Sequence, residues 1–224
     1  MKTYLKELEC PKCGKKYDPS KINHLCECGT PLLVRYDLEK MAKEASPRMW
    51  EERPKGLWRY RELLPVLQDD NIVSLGEGGT PVFPLRKMAL EFGVREVFVK
   101  DEGLNPTGTF KARGAAVGVS KARELGVKTV AMPTAGNAGA AWAAYCARAG
   151  LGMVVAMPED APATTQAECM AYGAKTYLVK GLISDAGRVV RQACEKYGWY
   201  EASTLKEPYR IEGKKTMGLE FAEQ

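Results

Sequence analysis

The sequence predicts an α/β fold, in which a parallel sheet is covered by helices and preceded by a small cysteine-rich module. Predicted strands begin near residues 129, 153, 176 and 199, so each strand and its helix together span 23 or 24 residues. These strands are rich in valine and alanine, which is typical of strands buried on both faces of a parallel sheet. Four cysteines within the first 28 residues predict the separate N-terminal module.

The individual elements follow from local sequence signals. Before residue 97, the patterns predict strands at 32–36 and 82–85 and a short helix at 38–44. Further strands are expected at 97–100, 129–132, 153–157, 176–179 and 199–202, and helices at 110–125, 138–149, 164–172 and 185–197. If these later strands share one parallel sheet, the loops after residues 100 and 133 leave its carboxyl edge, where ligands bind in open α/β sheets.

Composition narrows the class of protein. The net charge of +5 comes from dispersed lysines and arginines, without a basic run, so it gives little support for nucleic-acid binding. No apolar stretch reaches membrane-spanning length and no signal peptide is recognisable, so we predict neither a membrane partner nor secretion. Cys146, Cys169 and Cys194 are isolated, which fits a reducing cytoplasm. Because His24 is the single histidine, mechanisms that need a Ser-His or Cys-His pair are disfavoured.

The N-terminal cysteines have spacing typical of a structural zinc site. Cys10 and Cys13 form one knuckle and Cys26 and Cys28 a second, each followed by glycine. We predict that these four thiolates bind zinc in a zinc-ribbon-like module, with no coordination position left open for catalysis. His24 is an alternative ligand for one position. A metal-free redox pair, plain buried cysteines and a disulfide are the other interpretations.

Lys111 is the most informative residue, because an ammonium group is unfavourable at its predicted position. A turn ends at Gly108, and Thr109 is the predicted N-cap of the helix at 110–125. The positive end of the helix dipole would favour the neutral amine of Lys111, and burial would lower its pKa further. A neutral lysine amine can form a Schiff base with a carbonyl. The alternative is a surface lysine near a helix start.

A second polar loop follows the strand predicted at 129–132. It reads Thr-Ala-Gly-Asn-Ala-Gly over residues 134–139 and opens the next predicted helix. Glycines there let backbone N–H groups approach an anion at the helix N-terminus. The spacing matches neither a Walker loop nor the dinucleotide fingerprint, so nucleotide binding is not indicated. The alternative is an ordinary strand-to-helix turn.

The stretch from Asn105 to Gly114, Asn-Pro-Thr-Gly-Thr-Phe-Lys-Ala-Arg-Gly, closely resembles the cofactor-lysine motif of pyridoxal-phosphate enzymes of fold type II, the tryptophan-synthase-β-like group. Within that group the chain is most similar to the threonine synthases. The resemblance runs from about Leu75 to the C-terminus. It includes the Gly-Glu-Gly-Gly-Thr-Pro string at 76–81, the loop at 134–139 and the segment 209–216.

The resemblance implies a role for each matching residue. Lys111 would bind pyridoxal 5'-phosphate covalently and act in catalysis, and Asn137 would contact the phenolic oxygen of the cofactor. Thr80 would be part of the active-site wall. The substrate, a phosphorylated amino acid, would be bound by Thr134, Gly136, Asn137, Ala138 and Arg210, with Arg210 on its phosphate. Lys206 departs from the family pattern, and it would either supply the phosphate contact that is lost there or be a solvated turn residue. The implied reaction converts O-phospho-L-homoserine to L-threonine and phosphate, in a full-length homodimer.

Departures from the family pattern leave alternatives open. Thr204 and Leu205 stand where the family has an asparagine-serine pair, which weakens the substrate assignment. A threonine/serine dehydratase or a cysteate-synthase-like enzyme is the alternative within the fold, and a non-catalytic fragment is the alternative outside it. The family's glycine-rich cofactor-phosphate loop is not recognisable, and residues 217–224 resemble the opening of a helix, so we predict an incomplete N-terminal portion. The expected divisions are a zinc-ribbon-like module at 1–35, a connecting segment of the large domain at 36–92, a small domain with the cofactor lysine at 93–207, and the start of the large domain at 208–224.

Overall fold

The computed structural model describes residues 2–46 and 48–224 and begins with a small antiparallel sheet. Its strands are β1 (Leu5–Glu9), β2 (Lys16–Tyr17) and β3 (Leu33–Tyr36), arranged in the order β2-β1-β3. The two cysteine knuckles form the turns at one end of this sheet. Gly14 and Gly29, which follow the knuckles, have φ values of 71° and 78°, so each turn uses a left-handed conformation that glycine adopts without strain.

Residues 37–110 contain short helices and a two-stranded antiparallel sheet. Its elements are α1 (Leu38–Glu44), α2 (Arg48–Glu51), β4 (Val82–Pro84), α3 (Arg86–Phe92) and β5 (Phe98–Lys100). The prediction that the strand near 97–100 is buried in the parallel sheet is wrong. This strand, β5, pairs antiparallel with β4, and Phe98 and Val99 are exposed. Its valine-rich sequence fits any pleated strand, so composition alone could not assign it to a sheet.

The rest of the described chain alternates between helices and strands. The elements are α4 (Lys111–Glu124), β6 (Thr129–Pro133), α5 (Asn137–Ala149), β7 (Gly152–Pro158), α6 (Ala163–Ala171), β8 (Lys175–Val179), α7 (Ile183–Tyr197), β9 (Tyr200–Glu201) and α8 (Arg210–Glu223). The predicted elements between 110 and 202 are confirmed within two residues at each end. The predicted start of the last helix, near residue 217, is wrong, because α8 already begins at Arg210.

Strands β6 to β9 form a parallel sheet in the order β8-β7-β6-β9. One face packs on α7, where Ala131 and Val154 contact the helix through Ala186 and Val190. The other face belongs to the main core, which also contains the buried side chains of α4 and α5. After β6 the chain moves outward to β7 and β8, and α7 returns it to the far side of β6. The strand order therefore reverses between β6 and β9, which is where open α/β sheets bind ligands. Among the described residues, no helix is long and apolar enough to cross a membrane.

Helices α4 and α8 cross at very short distance because two glycines face each other. A Cβ atom at Gly213 would lie 1.9 Å from the carbonyl oxygen of Arg113, and one at Gly114 would lie 3.0 Å from the carbonyl oxygen of Arg210. This close crossing brings the first turn of α8 beside the first turn of α4.

Replacing Gly213 by alanine is expected to lower the free energy of unfolding by about 2–3 kcal/mol, because the helices must separate to admit the methyl group. Gly218→Ala, on the same helix, is the matched control. Apart from the local backbone of α8, no atom lies within 4 Å of the position that its methyl group would take, so the higher helix propensity of alanine should raise stability by about 0.5–1 kcal/mol. Urea denaturation checks both values. Equal effects of the two substitutions would refute the close crossing.

Candidate active site

The candidate site lies at the reversal point of the sheet, where three segments meet. The loop after β6 leads into α5, the loop after β9 leads into α8, and the start of α4 packs beside both helices. Together they enclose a cavity of about 150 Å³. Its lining residues are Lys111, Gly114, Ala138, Trp142, Thr204, Arg210 and Lys214.

Lys111 occupies the first turn of α4, as predicted. Its backbone N–H donates to the Thr109 hydroxyl oxygen at 3.1 Å, so Thr109 supplies the expected capping contact although the helix is assigned from Lys111. Its Nζ lies 3.8 Å from the centre of the Phe110 ring. Burial lowers the pKa of Lys111, and the positive charge of Arg210 lowers it further. Among the described residues, no carboxylate forms an ion pair with this amine.

Arg210 is the first residue of α8 and is 4% exposed. Its guanidinium lies 5.1 Å from the centre of the Trp142 ring and donates to the Thr204 hydroxyl at 3.1 Å and to the Ala202 carbonyl. Its Nε is buried and makes no hydrogen bond within the described part of the chain. Burial lowers the pKa of Arg210, opposed by the negative charge of Glu207. The guanidinium is thus held in place by two hydrogen bonds, and its Nε–H group is still able to donate another.

Glu207 organises the start of α8. Its two carboxylate oxygens accept the backbone N–H groups of Tyr209 and Arg210, each at 2.8 Å. Its Oε2 lies 3.9 Å from the Nε of Arg210. Burial raises the pKa of Glu207 despite these contacts. The carboxylate therefore caps the N-terminus of α8 and approaches Arg210 from the loop between β9 and α8.

The loop after β6 is closed by its own threonine. The Thr134 hydroxyl accepts the N–H of Gly136 at 3.2 Å and donates to the Gly136 carbonyl at 2.9 Å. Thr134 is buried, whereas Asn137 is exposed in the first turn of α5. Of the residues predicted from this loop, Ala138 lines the cavity. The other three, Thr134, Gly136 and Asn137, come shortly before Ala138, in the loop and at the N-terminus of α5.

Lys206 does not lie in this cavity. Its Nζ pairs with Glu201 at 2.8 Å, and its carbonyl oxygen lies 3.2 Å from His24 Nδ1. Lys206 and His24 line a different cleft, beside Cys194. The chain turns away just before Lys206, because Leu205 adopts a left-handed conformation with φ of 61°. Lys206 is therefore close to Arg210 in the sequence, but its side chain does not line the same cavity.

Lys214 and Trp142 line the cavity but are absent from the sequence prediction. Trp142 reads as an ordinary core residue of α5. Lys214 follows Arg210 by four residues, so both side chains project from the same face of α8. The sequence could not show this shared face, because the predicted helix began near residue 217 and did not include Arg210 or Lys214.

A buried ionic cluster joins α4 and α8 to the segment that precedes α4. Arg113 is fully buried and donates to both carboxylate oxygens of Glu102 and of Glu220, at 2.6–2.8 Å. Lys100 pairs with Glu220 at 2.8 Å. Burial alone would raise the pKa of Glu220, but hydrogen bonds from Arg113 and then Lys100 lower it below its usual value. Thr80, expected in the active-site wall, donates to Glu102 at 2.6 Å and belongs to this cluster.

The four predicted metal-binding cysteines converge. The sulfur atoms of Cys10, Cys13, Cys26 and Cys28 all lie within 4.8 Å of one another. The separations of 3.5 Å, 3.5 Å and 3.9 Å are close to the edge of about 3.8 Å in a tetrahedron with zinc–sulfur bonds of about 2.3 Å. The Tyr17 hydroxyl donates to the Cys26 sulfur at 3.2 Å. His24 is not part of this group, since its ring lies against Tyr200 and the Lys206 carbonyl.

A larger cavity of about 940 Å³ lies at the other end of α8. It is lined by residues such as Trp50, Arg59 and Gln224 and contains none of the predicted site residues. Size alone therefore does not identify the site. The small cavity is the candidate because it combines a lysine of lowered pKa with a buried arginine.

Comparisons with solved structures agree with this architecture. The chain superposes over its whole length on Escherichia coli diaminopropionate ammonia lyase, with a TM-score of 0.63 and 19% identity, covering 54% of that chain. This level of identity establishes the fold alone. A pyridoxal 5'-phosphate-dependent aspartate racemase matches 65% of this chain and 46% of its own, with a TM-score of 0.59 and 30% identity.

Sequence comparisons are more specific. The threonine synthase of Methanocaldococcus jannaschii is 44% identical over 216 residues, which are 96% of this chain and 53% of the relative. The threonine synthase of Methanosarcina acetivorans is 39% identical over 219 residues, which are 97% of this chain and 53% of the relative. The chain thus spans about half the length of these curated relatives. The sequence profile of the family described as "Pyridoxal-phosphate dependent enzyme" matches residues 73–224, more than half of the chain, and the protein therefore belongs to the pyridoxal-phosphate-dependent enzymes.

Proposed function

We propose that this chain supplies part of the active site of a lyase that converts O-phospho-L-homoserine to L-threonine and phosphate. The main support is that one small cavity is lined by Lys111, Arg210 and the start of α5, and that the pKa of the Lys111 amine is lowered there. The high identity to threonine synthases over nearly the whole chain supports the choice of substrate.

The residues of the cavity fit pyridoxal phosphate as the cofactor. Covalent attachment requires a lysine amine that is not held as an ammonium in an ion pair, and Lys111 meets this requirement among the described residues. Asn137, exposed at the start of α5, is the proposed contact for the cofactor's phenolic oxygen. When bound, pyridoxal phosphate withdraws electrons from the α-carbon of the substrate.

The remaining roles belong to side chains and helix ends around the cavity. Once free, the Nζ of Lys111 moves protons at Cα and Cβ of the substrate. The backbone of 134–138 at the N-terminus of α5 binds the substrate carboxylate, with Thr134 holding the loop closed. Arg210 binds the phosphate through its planar fork of N–H donors. Lys206 is left out of this proposal, because its amine is engaged by Glu201.

Product analysis of the full-length protein tests the function. With O-phospho-L-homoserine, we expect equal amounts of threonine and phosphate. Ammonia and 2-oxobutanoate from threonine, without phosphate release from phosphohomoserine, would indicate a dehydratase instead. Turnover of neither substrate by cofactor-loaded protein would reject the lyase proposal and favour a non-catalytic role. A cytoplasmic location and a homodimer remain predictions. Sedimentation analysis of the full-length protein would test the homodimer.

We further propose that the four N-terminal cysteines bind structural zinc. Three sulfur–sulfur separations close to the edge of a zinc tetrahedron support this ligand set, and all four positions would be filled by protein. The Tyr17 hydrogen bond to Cys26 would orient one thiolate.

Cys10→Ser is expected to remove at least about nine-tenths of the bound zinc and to lower the thermal stability of the N-terminal module, since metal binding contributes to the folding free energy. Elemental analysis of protein purified without added metal provides the measurement. Cys194→Ser is the control, because Cys194 lies outside the cluster. The same zinc content in both variants would refute the site.

A further inference from the structure

Two cations of α8 converge with Lys111 on the candidate cavity. Arg210 and Lys214 are one helical turn apart, and both line the cavity. The Nζ atoms of Lys111 and Lys214 lie 3.8 Å and 5.5 Å from the centre of the same Phe110 ring. Both amines therefore lie close to one aromatic side chain, at the cavity that Arg210 also lines.

The glycines at the helix crossing create this arrangement. A Cβ atom at Gly114 would lie 3.0 Å from the Arg210 carbonyl oxygen and 3.5 Å from Cε of Lys214. The stem of Lys214 therefore runs directly over the backbone of α4, and its amine extends toward the first turn of that helix. A Cβ atom at position 114 would already be in van der Waals contact with this stem.

The charges in the cavity are unbalanced. Its lining residues include three basic side chains and no carboxylate, and two of these side chains, Arg210 and Lys214, stay available when Lys111 binds the cofactor. Glu207 offsets one of these charges, since its Oε2 lies 3.9 Å from Arg210 Nε, and its carboxylate also accepts the N–H groups at the start of α8. Burial lowers the pKa of Lys214, and the charges of Lys111 and Arg210 lower it further. A bound anion would relieve this repulsion, whereas a neutral ligand would not.

We propose that Lys214 is a specificity-determining residue that, together with Arg210, binds the doubly charged phosphate group of the substrate. Arg210 offers fixed, directional N–H donors, and Lys214 adds a mobile point charge from one turn further along the same helix. This pairing favours a dianionic phosphate ester over a substrate with an uncharged leaving group. The inference rests on the proposed lyase function only for the identity of the substrate, since the anion site is defined by the cavity itself.

Phosphate binding by the holoenzyme tests the role of Lys214. The cofactor of the holoenzyme carries its own phosphate, so inorganic phosphate added to the holoenzyme reports on a second anion site. By calorimetry, Lys214→Gln should raise the dissociation constant about tenfold, whereas Lys214→Arg should stay within about threefold of the parent. The parent should also prefer sulfate to the monoanion nitrate, and Lys214→Gln should lose most of this preference.

Lys215→Gln is the matched control, because the adjacent Lys215 pairs with Glu212 and does not line the cavity. Its phosphate affinity should equal that of the parent. Unchanged binding in Lys214→Gln, or an equal loss in Lys215→Gln, would overturn the inference, as would a parent enzyme that binds no phosphate. If phosphate binding depends on Lys214 while phosphohomoserine is not turned over, the anion site stands and the proposed reaction fails.

Discussion

Replacing Lys111 by alanine is expected to lower the rate of threonine formation from O-phospho-L-homoserine by at least about 10³-fold. In the proposed mechanism, the substitution removes both the amine that would bind the cofactor and the base that would move protons at the substrate. General acid–base catalysis alone contributes about 10²–10⁴-fold. The steady-state rate of the full-length enzyme at saturating cofactor and substrate provides the measurement.

Stability should change little in this variant, since Lys111 forms no ion pair with the described residues and is only partly buried. Circular dichroism would confirm that the fold is retained. Lys128→Ala, an exposed lysine beyond the end of α4, is the matched control and should retain full activity. Comparable rates for Lys111→Ala and the parent would remove Lys111 from the mechanism.

Arg113→Met is expected to lower the free energy of unfolding by about 3–5 kcal/mol, because it leaves two largely buried carboxylates without their main partner. The pKa values of Glu102 and Glu220 lie below the usual range in the native protein, where Arg113 outweighs the opposing effect of burial. Their stabilisation is therefore present above the unfolded-state pKa and is lost as the pH falls. The penalty of the substitution should accordingly be complete at pH 7 and shrink as the pH falls below about 4.5, the usual value from which both pKa values are lowered.

Arg35→Met is the control for Arg113→Met. Arg35 pairs with Glu9 at 2.8 Å on the surface, where its side chain is 44% exposed. Removing an exposed ion pair costs less than about 1 kcal/mol. Denaturant titrations of both variants across this pH range make the comparison. A loss for Arg113→Met no larger than that for Arg35→Met would mean that the cluster does not hold α8 to the rest of the chain.

The sequence was sufficient for elements whose signals are local. Apolar runs of strand length between glycine-rich turns defined β6 to β8, and the cysteine spacing predicted a cluster whose sulfurs do converge. Lys111 could be placed in the first turn of α4 because Gly108 and Thr109 mark where that helix begins. In each case a short stretch of chain fixes its own conformation, so no knowledge of distant residues was needed.

Features that depend on distant contacts were missed. The pairing of β5 with β4 is set by partners outside either strand, and the conformation of Leu205 turns Lys206 toward Glu201. The proposed role of Lys214 depends on where α8 begins and on how closely that helix approaches α4. Both properties arise from tertiary packing at Gly114 and Gly213, which the sequence shows only as two glycines among 22.

The attachment of the cofactor to Lys111 is the central claim, and peptide mapping tests it most directly. The protein is incubated with pyridoxal 5'-phosphate, reduced with borohydride, digested and analysed by mass spectrometry. A single pyridoxyl adduct on Lys111 is the predicted result, with none on the neighbouring Lys214. An adduct confined to another lysine, or spread evenly over the surface lysines, would contradict the account.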